Sequence, residues 1–209
     1  MNTMRAIGTR CKRALVVVMV AGLAPAGSAL AALELRDVNG SPTAVAADAE
    51  FAYDTVLDAT WYLTANNSFL GWDAAKSWAA GLTVGTFSGW SLPSADEACG
   101  FSLNCTNSQM GELYYTALGN AAGGPLSNTG PFKNLVSSFY WSGTVYARRP
   151  SGAWYFYTYD GSQSAYGKHN ALYALAVRPG DVVPEPGVVA LLLSGLAGVM
   201  VMRRRAVGS

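Results

Sequence analysis

Few side chains in this 209-residue chain are equipped for catalysis, and their spacing does not assemble them. His169 is the only histidine, and no serine or cysteine stands in a context that marks it as a nucleophile, so a triad has no head. A lone loop histidine of this kind is expected to be structural or solvated. Asp96 and Glu97 are adjacent, so on an extended backbone their carboxylates point oppositely and do not easily flank a glycosidic bond as a pair. Cys99 and Cys105 lack the Cys-x-x-Cys spacing of a redox or metal pair. The chemistry that remains is recognition. In Trp154-Tyr155-Phe156-Tyr157-Thr158-Tyr159, a strand sends Trp154, Phe156 and Thr158 to one side and Tyr155, Tyr157 and Tyr159 to the other. One face must be core. The tyrosine face is amphipathic and either packs under a long loop or stacks on sugars. Arg148-Arg149-Pro150 reads as an exposed loop able to meet an anionic polysaccharide.

The two ends of the chain are built for delivery. Arg5, Arg10, Lys12 and Arg13 precede the apolar stretch Ala14 to Leu23, and Ala29-Leu30-Ala31 is a small-x-small cleavage site. Residues 1–31 therefore read as a signal peptide for the general secretion machinery, with cleavage after Ala31. At the other end, Pro184-Glu185-Pro186 is followed by an uncharged run from Gly187 to Met202 and then Arg203-Arg204-Arg205. As a helix the run is roughly 24 Å long at ~1.5 Å per residue, against a bilayer core of about 30 Å. That suffices for a single short transmembrane helix with local thinning or snorkelling of the arginines. The arginines are a basic stop expected on the cytoplasmic side, which places everything before Pro184 outside. The motif, span and basic cluster together resemble the PEP-CTERM sorting signal of Gram-negative bacteria. That resemblance implies recognition by the membrane protease exosortase, a transient stay in the inner membrane, loss of the tail, and release or anchoring at the cell surface.

Removing both ends reverses the charge. Of 14 basic residues, 7 lie in the end segments, while all 13 acidic residues lie between Ala32 and Pro186, so the exported part carries 7 − 13 = −6 against +1 for the whole chain. An acidic exported domain is a poor nucleic-acid binder, because phosphate contacts need Lys and Arg. It is compatible with neutral sugars or divalent cations. Cys11 leaves with the signal peptide, and Cys99 and Cys105 remain as an even pair in an oxidising compartment, where a disulfide is expected.

What must position these residues is one domain of about 150 residues. Residues 32–49 read as a flexible lead-in, 50–181 as the domain, and 182–209 as the sorting tail. Strands are expected at Phe51 to Leu57 and Thr60 to Leu63, where β-branched and aromatic residues gather. A helix follows at about Trp72 to Ala80, with Gly81 placed to cap it. A second helix is expected from about Gln109 to Leu118, with Asn107 or Ser108 as its cap. Strands return at Phe139 to Tyr146 and Ala153 to Tyr159, then a turn at Asp160-Gly161. A last strand runs from Ala171 to Arg178, with Tyr173, Leu175 and Val177 on one face. Strands, two helices, then an antiparallel sheet make the class α+β.

Trp78-Ala79-Ala80, Trp90-Ser91-Leu92-Pro93-Ser94, Tyr140-Trp141-Ser142-Gly143, Ala153-Trp154-Tyr155-Phe156 and Tyr173-Ala174-Leu175-Ala176-Val177-Arg178-Pro179 resemble the DUF1566, or Lcl C-terminal, domain over roughly residues 50–181. That family usually has Trp-Arg-Leu-Pro where this chain has Trp90-Ser91-Leu92-Pro93, which removes a cation. The resemblance implies a C-type-lectin-like fold with two helices, a twisted antiparallel sheet and a long loop region. Lectins of that fold hold calcium and sugar through Glu-Pro-Asn and Trp-Asn-Asp triplets, and neither occurs here. No cofactor and no metal site is expected. Calcium is the alternative, with Asp160, Asn170, Asn120 and Asn128 as oxygen donors of no fixed spacing. The functional expectation is a non-enzymatic glycan- or protein-binding module at the cell surface or in the extracellular polysaccharide matrix. The alternatives are an enzyme akin to the oxidases of this fold that modify sulfatases, and a passive glycosylated matrix protein.

Overall fold

The computed structural model describes residues 33–183. The signal peptide with Ala29 and Ala31, the Pro184-Glu185-Pro186 motif, the expected transmembrane span and Arg203, Arg204 and Arg205 lie outside the described residues. Among the described residues no helix is long and apolar enough to cross a membrane.

Two antiparallel sheets and two helical segments give an α+β domain. The first sheet has the order β1-β2-β3-β7, from Leu33–Arg36, Phe51–Asp54, Ala59–Tyr62 and Val177–Pro179. The second is β4-β5-β6, from Phe139–Val145, Gly152–Tyr157 and Ser162–Gly167. Helix α1 spans Trp72–Gly81; helix α2, Gln109–Gly111, runs directly into a π-helical stretch, Glu112–Ala117.

The lead-in expected to be flexible is instead an edge of the first sheet. Leu33, Glu34, Leu35 and Arg36 pair with Asp54, Tyr53, Ala52 and Phe51. The chain then turns back at Asp37, whose carboxylate accepts from the backbone N–H groups of Asn39 and Ser41. The four residues of β1 are too short a run to show a strand period, and their order comes from pairing with β2 and from one buried cation. Arg36 donates to Asp181 through Nε and Nη2 at 3.2 and 2.7 Å, which joins the two ends of the domain. The Asp181 hydrogen bond, more than any other contact, raises the guanidinium pKa above its ordinary value. With β7 zipped onto β3, residues 33–183 close on themselves as one folding unit.

The β2–β3 hairpin turns on Asp54, which is fully buried and accepts from the N–H groups of Val56 and Leu57 at 3.0 and 3.1 Å. Asp58 takes the left-handed conformation that the turn requires, one that Asp tolerates better than most residues.

The last strand is shorter than its sequence suggests. Only Val177–Pro179 pairs continuously, and residues 172–176 make single contacts as they cross between the sheets. Tyr173 exchanges hydrogen bonds with Phe139 and Trp141, Leu172 with Leu70, and Ala176 accepts from Tyr62. The expected alternation survives this. Tyr173, Leu175 and Val177 face one apolar cluster with Trp61, Tyr114, Tyr140 and Phe156. Leu172, Ala174 and Ala176 face a second cluster with Phe51, Trp72, Trp90 and Trp141. This segment is therefore the partition between two cores, which is why neither face is polar.

Helix α1 docks on β4 through two indoles. Trp72 donates to the Ser142 carbonyl and Trp141 to the Leu70 carbonyl, each at 2.8 Å. Gly81 is the last helical residue and Leu82 the cap, so Gly81 does not end the helix by a left-handed turn. At α2 the expected cap is Ser108, whose hydroxyl accepts from the Gly111 N–H at 3.0 Å. A Cβ on Gly111 would collide with the Cys105 carbonyl, so glycine lets the helix start press against the cysteine loop.

Candidate functional site

A shallow groove forms where the β4–β5 turn meets the loop between α1 and α2. One recess of about 260 Å³ is lined by Phe101, Tyr146, Arg149, Gly152, Tyr166 and neighbours. A second, of about 170 Å³, is lined by Glu97, Gly100, Phe101, Tyr146, Arg148 and Trp154. Phe101 and Tyr146 line both, so the two recesses share one aromatic divide, with ring centroids 5.5 Å apart. Trp154 is the buried floor, 5.3 Å from Phe101 and 5.2 Å from Tyr146. Phe101 is 61% exposed, an uncommon position for a phenylalanine anchored this firmly.

The anchoring comes from three sources. Cys99 and Cys105 are joined by a disulfide, as expected, and close the loop that carries Phe101. The buried Gln163 on β6 reaches into that loop: its amide donates to the Asp96 carbonyl at 2.7 Å and the Gly100 carbonyl at 3.3 Å, and its oxygen accepts from the Asp96 N–H at 3.1 Å. Ser102 and Gln163 exchange backbone hydrogen bonds, so the loop is added to the sheet edge. Sequence reasoning missed Phe101, Tyr146, Trp154 and Gln163 as a group. None sits on a shared periodic face, and Gln163 lies in a polar run that reads as surface.

The arginines singled out from sequence are on the rim. Arg148 and Arg149 are exposed on the tight β4–β5 turn, which is held by Arg149 N–H to Tyr146 C=O at 3.0 Å and Gly152 N–H to Arg149 C=O at 2.8 Å. Glu97 accepts from the Trp154 indole N–H at 3.3 Å, while the Asp96 carboxylate caps the Ala98 N–H. The two acids thus diverge, as their adjacency predicts.

Tyr155, Tyr157 and Tyr159 do not line the groove. They lie on the side of the strand opposite Trp154 and Phe156: Tyr155 is half-buried against the second apolar cluster, Tyr157 is half-buried, and Tyr159, past the end of β5, is exposed. Tyr157 stacks between Phe139 at 4.1 Å and Tyr159 at 5.6 Å, and Tyr155 meets Phe139 and Tyr166 edge-on. As expected, Trp154, Phe156 and Thr158 are the buried side.

Each candidate oxygen donor is engaged in a local hydrogen bond. Asn120 and Asn128 spend their amides pinning the 118–130 loop, through the Asn128 and Leu118 carbonyls and the Ser127, Asn128 and Gly130 N–H groups. The Asp160 carboxylate caps the Ser162 N–H, and Asn170 bonds Gly167. His169 is exposed beside Asn170. Among the described residues no group of three or more His, Cys, Asp or Glu side chains is placed to hold a metal ion.

One buried acid pair lies away from the groove. Glu112, at the start of the π-helical stretch, is 3% exposed, and no donor reaches either of its oxygens. A carboxylate there would be an unpaired buried charge. Burial first, then a hydrogen bond to Asp54, pushes its pKa up to about 8, so Glu112 carries a proton and donates it to Asp54. The Trp61 indole also approaches Asp54, at 3.5 Å.

A recess of about 310 Å³ between α1 and β4 is lined by Lys76, Trp90, Ser91, Leu92, Ser94 and Thr144. Its apolar residues Trp90 and Leu92 are buried and offer no open ring face. Ser91, where the resembled family usually has arginine, is tied by its backbone to Val177. Lys76 is the cation that lines this recess, while Arg178 lies over the rings of Phe87 and Trp90 at 5.6 and 6.0 Å and lines a separate recess with Asp181.

The family described as the Lcl C-terminal domain matches residues 50–178, more than half of the chain. No curated protein matches it.

Proposed function

The chain belongs to the Lcl C-terminal domain family, and on that scaffold we propose an exported, non-enzymatic module that recognises glycans through the Phe101–Tyr146–Trp154 groove. The observation that carries this reading is the exposed Phe101 ring, fixed beside Tyr146 and over Trp154 by a disulfide and by Gln163. Aromatic faces take the C–H face of a sugar ring, and a site fixed before binding gives up little conformational entropy. Glu97 and Arg148 in one recess and Arg149 in the other offer partners for hydroxyl groups.

The finer reading of the fold is C-type-lectin-like. Its supports are the adjacent chain ends in one sheet, the two helical segments, and a disulfide-closed loop region that forms the recognition surface. Export and exosortase sorting rest on the sequence of the two ends, and the Cys99–Cys105 disulfide suits an oxidising compartment. The same disulfide withdraws both thiols from the chemistry that a sulfatase-modifying oxidase would need.

The test is binding of residues 33–183 to the host's own extracellular polysaccharide, with calcium and with chelator, alongside Phe101→Ala. Saturable binding that survives chelation and is lost in Phe101→Ala is expected. Absence of binding in both conditions sinks glycan recognition, and binding abolished by chelator redirects the reading to a calcium site. Sorting is tested by mass spectrometry of the chain in cells with and without Pro184-Glu185-Pro186. Tail removal only when the motif is intact is expected.

A further inference from the structure

We propose that the recess where the chain leaves the domain holds the chain's own sorting motif, with the Glu185 carboxylate of Pro184-Glu185-Pro186 on the Arg178 guanidinium; the inference does not rest on glycan recognition. The recess, of about 370 Å³, is lined by Thr86, Phe87, Ser88, Arg178, Asp181 and Val183. Several cations lack a carboxylate partner among the described residues, Lys168 and Arg178 included. What separates Arg178 from the others is a buried donor. Its Nε is sealed from solvent, and among the described residues only it and the two Glu112 oxygens are buried side-chain polar atoms without a hydrogen bond. The recess has an acid of its own in Asp181, but Arg36 takes both of its oxygens, at 3.2 and 2.7 Å. Among the described residues the Arg178 guanidinium is therefore left without a counter-charge.

An acid is close in sequence, because the chain leaves the domain at this same recess and its exit is fixed. Gly180 donates to the Asp58 carbonyl at 2.8 Å and accepts from the Thr60 hydroxyl at 2.7 Å. Asp181 is held by Arg36, and Val182 is fully buried in the second apolar cluster. A Cβ on Gly40 would collide with the Val182 carbonyl and crowd the Phe87 ring, so the turn after β1 presses on both. Val183 then emerges on the wall of the recess, 54% exposed. Glu185 follows two residues later, at most about 7 Å of backbone further on, and its side chain adds to that reach. Val183 and Glu185 each precede a proline, which disfavours helix, and each proline fixes its own φ. A segment restricted in this way has little conformational freedom left to lose on docking. The guanidinium lies over the Phe87 and Trp90 rings, at 5.6 and 6.0 Å. Such partly dry surroundings strengthen a charge-assisted contact with a carboxylate. The contact ties the direction in which the tail leaves to the folded state of the domain.

The experiment uses residues 33–190, which keep the folding unit and add the motif, beside residues 33–183. Urea unfolding is measured for Glu185→Gln, Arg178→Gln and the double variant, which makes a double-mutant cycle. Glu185→Gln is expected to raise the unfolding equilibrium constant at least about fivefold when Arg178 is present, the low end for a charge-assisted hydrogen bond that must also order the tail. In the Arg178→Gln background the same change should matter less than about twofold, and high salt should shrink the coupling. A second readout needs no change at Arg178. The Nε–H resonance of Arg178, assigned by triple-resonance NMR, should shift between residues 33–183 and 33–190 and return in Glu185→Gln. An equal effect of Glu185→Gln in both backgrounds overturns the contact, and so does an Arg178 signal that is the same in all three proteins. Sedimentation at the same concentrations should show a monomer. Self-association that Glu185→Gln abolishes would mean that the motif docks on a second copy, which overturns the contact within one chain.

Discussion

Replacing Glu112 by Gln should flatten the pH dependence of stability. In the native state Glu112 is buried, lacks any donor and is bonded to Asp54, which raises its pKa from 4.5 to about 8. Folding therefore takes up a proton between these two values, and the stabilisation is complete only below about 4.5 and lost as pH rises through about 8. At 1.36 kcal/mol per unit, a shift of this size sets an upper bound of about 5 kcal/mol, and the slope cannot exceed about 1.4 kcal/mol per pH unit for one proton. Against a typical domain stability of roughly 5–15 kcal/mol, that is a large fraction. The amide side chain of the Glu112→Gln variant keeps the shape and offers an N–H₂ to Asp54 without titrating. Urea unfolding followed by tryptophan fluorescence, at intervals from about pH 4.5 to 9, should show wild type losing stability relative to Glu112→Gln by at least about 2 kcal/mol across the window. Parallel curves for the two proteins would mean that Glu112 is not protonated in the fold, and the assignment of the buried proton would be wrong.

Removing the disulfide with Cys99→Ser and Cys105→Ser should lower stability by about 2 kcal/mol, the loop-entropy value for so short a ring. It should also weaken groove binding, because Phe101 loses its mount; urea unfolding and calorimetry on the double variant check the two effects. Asp181→Asn should cost about 2 kcal/mol in urea unfolding, since it leaves the buried Arg36 guanidinium short of its main partner. Gln163→Leu should destabilise by about 2 kcal/mol by orphaning the Asp96 N–H and carbonyl, and should reduce polysaccharide binding although Gln163 itself touches no ligand. Replacing Tyr155, Tyr157 and Tyr159 together by Ser should leave groove binding within about twofold; a large loss would relocate the site to the outer face of β5.

Sequence alone carried much of this molecule wherever the determinants are local. The amphipathic spacing of residues 72–80, the Ser108 cap, the Asp160-Gly161 turn and the two-sided aromatic strand, expected at 153–159 and found at Gly152–Tyr157, all depend on neighbours within a few residues. The family is legible for the same reason, since its marks are short contiguous motifs, and the match spans residues 50–178. The cysteine pair could be read from an even count. What the tertiary structure decided are pairings between residues far apart in the chain. Arg36 meets Asp181, and Leu33–Arg36 of the lead-in becomes a sheet edge. Leu172 to Val177 divides two cores, so a predicted strand breaks into single bridges. Glu112 meets Asp54 and must keep its proton. Gln163 holds a loop more than 60 residues earlier, and that contact puts Phe101 beside Tyr146, over Trp154. No sequence period encodes such contacts, because burial and charge pairing are settled only when distant segments share the same space.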